Sequence, residues 1–117
     1  MSRPSIDRLR DLIRSASLAE GHARGLDANT LADSDGRRDA VLFRLMIVCE
    51  AASHLPFELQ TLEPEIPWAD IRGMRNYIVH SYWQIDFGIV IDTIQNDLGV
   101  LRAAAERLML IVERDKI

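Results

Sequence analysis

The sequence has little cysteine and no long hydrophobic stretch, and each absence excludes a class of protein. Cys49 is the single cysteine, so the chain can form neither an intramolecular disulfide nor a thiolate-only metal cluster. It lies in a mostly apolar run, residues 45–52, which predicts a buried thiol rather than a nucleophile. The longest uncharged apolar runs, such as residues 108–112, are far too short to cross a bilayer. The N-terminal residues lack the hydrophobic block of a signal peptide, and we therefore expect a cytoplasmic protein with no membrane segment.

Lysine is almost absent as well. Lys116 is the only lysine among 14 basic residues, and the net charge is −4. An acidic balance argues against a broadly basic surface that coats RNA, so any nucleic-acid contact must be local. Arginine suits bidentate contact with phosphate, although such skewed usage also fits a GC-rich genome. We assign a functional role to only two of the arginines, Arg72 and Arg75.

Strand-like alternation, internal repeats, a glycine-rich phosphate loop and an acidic metal-binding cluster are all missing. Apolar residues recur instead at the spacing of three and four that is typical of helices packed on a core. This spacing predicts helices over residues 5–20, 37–54 and 68–82, a short segment over 57–62, and a last helix from Asp86 to the C-terminus. Residues 21–35 are predicted to form a loop, in which residues 30–33 could make one helical turn. The length fits one domain, 1–117, and the predicted fold is all-α, a bundle of four or five helices.

The last of these helices carries a heptad-like apolar seam. Its positions alternate steps of four and three residues: Phe87, Ile91, Ile94, Leu98, Leu101, Ala105, Leu108 and Val112. Such a seam is more typical of a bundle core than of an independent coiled coil. We expect Asp86 to cap the helix and Gly99 to bend it midway. The helix over 37–54 is apolar on so many sides that it needs two packing partners.

Four residues with chemical potential lie within two helical turns: Arg75, Asn76, His80 and Tyr82. Arginine is a permanent planar cation suited to phosphate oxygens, and histidine can give or take a proton near neutral pH. A ribonucleotide supplies its own nucleophile, the 2′-hydroxyl. RNA cleavage therefore needs no metal if a base removes that proton, an acid protonates the leaving 5′-oxygen and arginine stabilises the charged phosphorus.

Helical geometry places these residues on one half of their helix. At 100° per residue, Arg72, Asn76, His80 and Trp83 follow Arg75 within roughly 140°, and Tyr82 lies just behind it. The other half is mostly apolar and can pack on the domain: Ile71, Met74, Tyr77, Ile78, Ser81 and Ile85. The polar half is either an ordinary solvated face or a contact surface. Tyr82 and Trp83 favour a contact surface, for base stacking or for a second subunit.

The motif Arg-Asn-x-x-x-x-His-x-Tyr at residues 75–82 resembles that of the HEPN superfamily, and its surroundings resemble the HepT branch. The resemblance covers nearly the whole chain. Matching stretches, in family order, are an Asp-x-x-x-x-x-Asp-Ala-Val pattern at 33–41, an aliphatic-x-Glu-Ala pattern at 48–51, Pro-Glu-Ile-Pro-Trp at 64–68, Arg-Gly-Met-Arg-Asn at 72–76 and Ile-Asp at 85–86. The chain departs from the pattern at Cys49, which replaces a glycine, and near Gly99, where the family commonly has a proline.

The resemblance implies a HEPN-like, homodimeric, metal-independent endoribonuclease that needs no cofactor. Its cleft would lie at the subunit interface, with Arg75 and His80 supplied by both chains and with Arg72 and Asn76 in support. Physical reasoning agrees, because acid and base roles are most easily filled by two groups and a two-fold axis places a second His80 nearby. Asn76 would orient the site, since an amide is neither an acid nor a base.

The resemblance also implies a partner. HepT proteins are toxins of a type VII-like toxin–antitoxin system, in which a nucleotidyltransferase antitoxin transfers AMP to the motif tyrosine, here Tyr82. A phosphate-linked nucleotide beside Arg75 would occupy the cation and block RNA phosphate. Alternatively, Tyr82 is only an aromatic packing residue at the dimer interface.

Two other functions remain open at this point. One is a non-catalytic helical dimer that docks a nucleotidyltransferase, with the motif kept for structure; the intact motif favours the enzyme. The other is a nucleic-acid-binding helical regulator, which the acidic balance and the lack of a basic recognition helix disfavour. His22 and His54 lie near predicted helix ends, where we expect capping or surface roles.

Overall fold

Residues 4–115, the part of the chain that the computed structural model describes, fold into helices without any strand. The predicted all-α class is confirmed. The α-helices are α1 Ser5–Ala23, α2 Ala28–Asp33, α3 Asp35–Ser53, α4 Phe57–Gln60, α5 Trp68–His80, α6 Phe87–Asp92 and α7 Gly99–Asp115. A 3₁₀ turn, Tyr82–Gln84, follows α5, and a π-helical segment, Thr93–Leu98, joins α6 to α7. The last two residues of the predicted final helix lie outside the described part.

The predicted loop over residues 21–35 is shorter than expected: residues 21–23 continue α1, and the helical turn that the sequence allows at 30–33 is part of α2. Asp27 caps this helix: its Oδ1 accepts a hydrogen bond from the Thr30 backbone N–H at 2.9 Å. In return, Thr30 Oγ1 accepts from the Asp27 backbone N–H at 2.8 Å. This reciprocal capping box satisfies two N–H groups at the helix start and explains why so short a helix forms.

Helix α3 is central, because it packs on α1 on one side and on α5 on the other. Its buried residues are spread over several turns and faces: Val41, Leu42, Leu45, Val48, Cys49, Ala51 and Ala52. The prediction that this helix needs two partners is confirmed. Helix α1 also packs on α7, so the buried residues of α1, α3 and α7 share one continuous hydrophobic core.

The C-terminal helix follows the predicted seam over most of its length. Asp86 is its N-cap, as predicted, and its Oδ1 accepts a hydrogen bond from the Gly88 backbone N–H at 2.8 Å. The positions of the predicted seam from Ile94 to Val112 are all buried. N-terminal to them, Val90 is fully buried, whereas Ile91 of the predicted seam is only partly so. The sequence predicts a bend at Gly99. Directly before this residue the helix contains the π-helical segment, whose wider turn accommodates one extra residue.

Segment 54–67 joins α3 to α5 and fixes where α5 begins. The Trp68 indole Nε1–H lies 3.1 Å from the backbone carbonyl oxygens of both Gln60 and Glu63. Arg107 of α7 holds the same segment through a bidentate ion pair with the Glu63 carboxylate, at 3.0 and 2.6 Å. This guanidinium lowers the pKa of the Glu63 carboxyl. The first turn of α5 is thereby tied to the bundle.

Within the described residues, no helix combines the length and the apolar character that crossing a membrane requires.

Two leucines of α7 provide a matched test of this core. Leu108 is completely buried, whereas Leu110, two residues further on, is 68% exposed. We expect Leu108→Ala to lower the free energy of unfolding by about 2 to 5 kcal/mol, because it removes buried methyl groups and leaves a cavity. Leu110→Ala should change it by less than about 0.5 kcal/mol. Urea unfolding followed by circular dichroism measures both, and equal effects would contradict the described packing of α7.

Candidate active site

Arg75, the predicted phosphate-binding cation, is held by a carboxylate from the neighbouring helix. Its Nε donates to Glu50 Oε2 of α3 at 2.7 Å, and its Nη1 donates to Asn76 Oδ1 at 3.2 Å. Both members of the ion pair are partly exposed. Because one edge of the guanidinium is fixed on Glu50, its plane is oriented, and among residues 4–115 its Nη2 has no hydrogen-bond partner. A guanidinium held this way presents a donor to an incoming anion.

A shallow cleft of about 320 Å³ opens beside this ion pair. It lies between the C-terminal end of α3 and the middle of α5, and its lining is polar: Glu50, Ser53, His54, Arg72, Arg75 and Asn76. The structure therefore brings together three of the residues singled out from the sequence, Arg72, Arg75 and Asn76. Two arginines and an amide in one exposed cleft give an acidic protein a local concentration of positive charge, which Glu50 offsets in part.

His80 does not line this cleft. It is the last residue of α5, it is exposed, and its imidazole makes no hydrogen bond to the rest of the described chain. It is thus free to meet a substrate or a second protein. In one chain, however, the cation in the cleft and the motif histidine do not share a pocket.

Tyr82 departs from the predicted geometry because the motif helix is shorter than expected. Helix α5 ends at His80 rather than at residue 82, since Ser81 leaves the helical region with φ −119° and ψ 21°. The 3₁₀ turn that follows is closed by a hydrogen bond from the Gln84 backbone N–H to the Ser81 carbonyl at 2.8 Å. The Asp86 backbone N–H then donates to the Tyr77 hydroxyl at 2.7 Å, which fixes the exit of the turn. The helical-wheel position of Tyr82 just behind Arg75 is therefore wrong.

The Tyr82 hydroxyl donates instead to Asp39 Oδ1 of α3, at 3.0 Å. Partial burial, together with the hydrogen bond to Asp39 and its negative charge, raises the pKa of the phenol, and Arg38 opposes this shift. The Tyr82 ring meets Trp83 edge to face, with the ring centroids 5.4 Å apart. Trp83 itself is 92% exposed.

The phenol of Tyr82 and the guanidinium of Arg75 bind α3 at two different points along its length. Their partners, Asp39 and Glu50, lie eleven residues apart on α3, which corresponds to about 16 Å along the helix axis. The prediction that a nucleotide on Tyr82 would sit beside Arg75 therefore does not hold within one chain.

Asp39 and Glu50 were not assigned a role from the sequence. One sequence feature could have drawn attention to them: because they are eleven residues apart, they lie on the same face of a helix. Both also belong to the stretches that match the HepT pattern. Their contacts with α5 and with the turn that follows it are tertiary, so periodicity alone does not reveal them.

Two other residues near the cleft take the positions expected of them. His54 ends α3, and its Nδ1 lies 2.9 Å from the Glu50 carbonyl oxygen, which confirms the predicted capping role. Cys49 is buried, as predicted, and burial, aided by the nearby Glu50 charge, raises its pKa to about 12. Its thiol therefore stays protonated and unreactive at neutral pH. Among the described residues, no group of three or more His, Cys, Asp or Glu side chains is placed to hold a metal ion.

Comparison with known proteins relates this arrangement to a family of enzymes. The family model "Ribonuclease HepT-like" matches residues 6–108. The "Probable ribonuclease HepT" of Thermococcus cleftensis is 29% identical over 92% of this chain and 98% of its own length. The "Putative RNase MJ1380" of Methanocaldococcus jannaschii is 26% identical over 84% of this chain and 90% of its own.

A larger protein of the same archaeon, "Gamma-glutamylcyclotransferase and putative RNase MJ0434", is 25% identical over 92% of this chain but only 49% of its own length. No solved structure matches the chain. The family model spans most of the sequence, including every residue of the cleft, and agrees with the enzyme class predicted from the motif, an endoribonuclease. The chain belongs to the HepT-like ribonuclease family.

Proposed function

We propose that this protein is a metal-independent endoribonuclease that cleaves RNA through attack of the 2′-hydroxyl, with Arg75 and His80 as its catalytic residues. The observation that carries the proposal is the partly exposed Arg75 guanidinium, held on Glu50 in a cleft that Arg72 and Asn76 also line. Membership of a ribonuclease family supports it. The substrate is RNA, and the proposed place of action is the cytoplasm.

The chemistry follows from the groups present. Arg75 binds a non-bridging phosphate oxygen and stabilises the charge that grows on phosphorus as the 2′-oxygen attacks. Arg72, exposed at the cleft edge, adds a second positive charge, and Asn76 keeps Arg75 in place through its Oδ1. His80 exchanges protons with the 2′-hydroxyl or the leaving 5′-oxygen. The products are a 2′,3′-cyclic phosphate and a free 5′-hydroxyl.

The separation of His80 from the cleft supports the homodimer in which both chains supply Arg75 and His80. In a two-fold dimer, the His80 of one chain can reach the cleft of the other. The surface formed by α3, α5 and the following turn also exposes large apolar side chains: Phe43, Val79, Tyr82 and Trp83. Of these, Tyr82 and Trp83 contact each other, and exposed aromatic side chains are typical of surfaces that bind protein.

Removal of the motif histidine tests the catalytic assignment. We expect His80→Ala to lower the rate of RNA cleavage by about 100-fold or more, because a proton-transfer group is lost. His22→Ala, which changes a histidine of α1 outside the cleft, should keep the wild-type rate. The assay uses purified protein with tRNA and mRNA in EDTA and identifies the product ends. Wild-type activity in EDTA, with cyclic phosphate ends, is the expected result.

Two outcomes of that assay contradict the proposal. Full activity of His80→Ala shows that His80 is not catalytic. Absence of cleavage by the wild type on both RNA classes favours the alternative function, a non-catalytic helical dimer that docks a nucleotidyltransferase. The pairing of Arg75 with Glu50 in the free chain is the observation that keeps this alternative open.

The dimer has its own test. Trp83 and Phe57 are both highly exposed, at 92% and 75%, but Phe57 belongs to α4, outside the proposed interface. We expect Trp83→Ser to weaken dimerisation at least about tenfold, as is common for aromatic anchors at interfaces. Phe57→Ser should leave it unchanged. Sedimentation at micromolar concentration measures both, and a monomeric wild type would rule out the composite site.

We further propose that the protein is the toxin of a type VII-like toxin–antitoxin pair and that a nucleotidyltransferase antitoxin transfers AMP to Tyr82. The phenol is accessible, because Tyr82 is 38% exposed. Its only side-chain hydrogen bond within the described chain goes to Asp39, and modification would replace this bond with a phosphodiester facing a carboxylate. In the proposed dimer, the AMP group attached to Tyr82 of one chain enters the cleft of the other chain.

Modification of Tyr82 is measured by mass spectrometry after incubation with the cognate nucleotidyltransferase and ATP. We expect one or more AMP groups on the wild type, together with loss of RNA cleavage. Tyr82→Phe lacks the hydroxyl acceptor and should stay unmodified and active, and peptide mapping of the modified wild type should place AMP on Tyr82 and not on Tyr77. AMP on Tyr82→Phe at the wild-type level would show that another residue is the target.

A further inference from the structure

His54 occupies a position in the cleft that helix capping does not account for. It lies in the same polar cleft as Arg72, Arg75 and Asn76, and it is the one histidine among the described residues that line it. Its side chain is half exposed. A phosphate bound by Arg75 would therefore have His54, and not His80 of the same chain, as its neighbouring imidazole.

The partners of His54 fix its tautomer. Its Nδ1 faces two oxygen atoms of Glu50, the backbone carbonyl at 2.9 Å and the carboxylate Oε1 at 3.3 Å. Both atoms only accept hydrogen bonds, so Nδ1 must carry the hydrogen. The lone pair of the neutral ring then lies on Nε2, the nitrogen on the far side of the ring from Glu50. An imidazole oriented in this way is prepared to accept a proton at Nε2.

Glu50 links this histidine to the cation. One carboxylate oxygen binds Arg75 Nε at 2.7 Å and the other faces His54 Nδ1. The carboxylate can thus orient the guanidinium and the imidazole together, and it would stabilise the imidazolium that forms when Nε2 takes a proton. The charged groups facing His54 in the cleft are Glu50 from its own helix and Arg72 and Arg75 from α5.

We propose that His54 is a further catalytic residue of this ribonuclease, the general base of the cleft that Arg75 lines, with Glu50 as its positioning residue. The inference rests on the proposed function. His54 Nε2 takes the proton of the 2′-hydroxyl as the bond from the 2′-oxygen to phosphorus forms. The bond from phosphorus to the 5′-oxygen breaks, and that oxygen takes a proton from the imidazolium of the second chain's His80. This division of roles supplies both the acid and the base that the reaction needs.

The test must separate catalysis from capping, and His54→Asn does so. The asparagine side chain retains an N–H donor for the Glu50 carbonyl and suits a helix end, but it cannot accept the proton of the 2′-hydroxyl. We expect both His54→Asn and His54→Ala to lower the cleavage rate by about 100-fold to 10,000-fold. The acidic limb of the kcat–pH profile should also be lost in the His54→Asn variant. His22→Ala is the matched control and should keep both the rate and the pH profile.

If His54→Asn keeps the wild-type rate and pH profile, the inference is wrong and His54 is only a helix cap. That result differs from failure of the proposed function, in which the wild type and His22→Ala are inactive too. If the wild type is inactive, a binding experiment that needs no RNA cleavage still tests whether His54 contacts the substrate. Binding of a 2′-fluoro RNA oligonucleotide, which cannot be cleaved, should shift the His54 Nε2 resonance in a nitrogen NMR spectrum of the full chain. No shift at saturating RNA would refute contact between His54 and the substrate.

Discussion

The ion pair between Arg75 and Glu50 is the interaction on which the candidate site depends, because it joins the motif helix to the central helix of the bundle. A half-exposed pair of this kind contributes only about 0 to 1 kcal/mol to stability. The adhesion of α5 to α3 comes instead from burial of Ile78 and partial burial of Ile71 and Met74. The ion pair therefore serves orientation. It fixes the plane of a guanidinium that would otherwise sample many rotamers.

Helix α3 both packs in the core of the bundle and holds the motif segment in place, because different residues of the helix make these two sets of contacts. Its apolar residues pack on α1 and on α5, whereas Asp39 near its start and Glu50 near its end bind the motif segment. These two carboxylates receive Tyr82 and Arg75 from consecutive parts of the motif segment. The spacing of Asp39 and Glu50 along α3 thus sets the distance between the proposed modification site and the proposed phosphate site. Under the proposed function, a nucleotide on Tyr82 would therefore act on the cleft of a second chain.

Periodicity predicted the main helices, the Asp86 cap and most of the seam from Ile94 to Val112, since these depend on local sequence and on burial of one face. It did not predict the features that depend on turn conformation or on contacts between helices. The end of α5 at His80 follows from the conformation of Ser81 and from the hydrogen bond between Tyr77 and Asp86, neither of which alters the apolar pattern. The motif singled out Arg72, Arg75 and Asn76 of α5, which the structure brings together in one cleft. Their partners on α3 are tertiary contacts, and a helical wheel of α5 alone cannot show them.

The charge balance of the cleft connects these points. Arg72 and Arg75 bring two positive charges and Glu50 one negative charge, so one chain presents a single net positive charge when His54 is neutral. That is enough to attract a phosphodiester, but the pentavalent species carries more negative charge than the ground state. A protonated His54, or a cationic group from a second chain, would supply the difference at the moment when it is needed. Because that additional charge appears only as the proton moves, the cleft would bind the transition state more strongly than the substrate, which is the condition for catalysis.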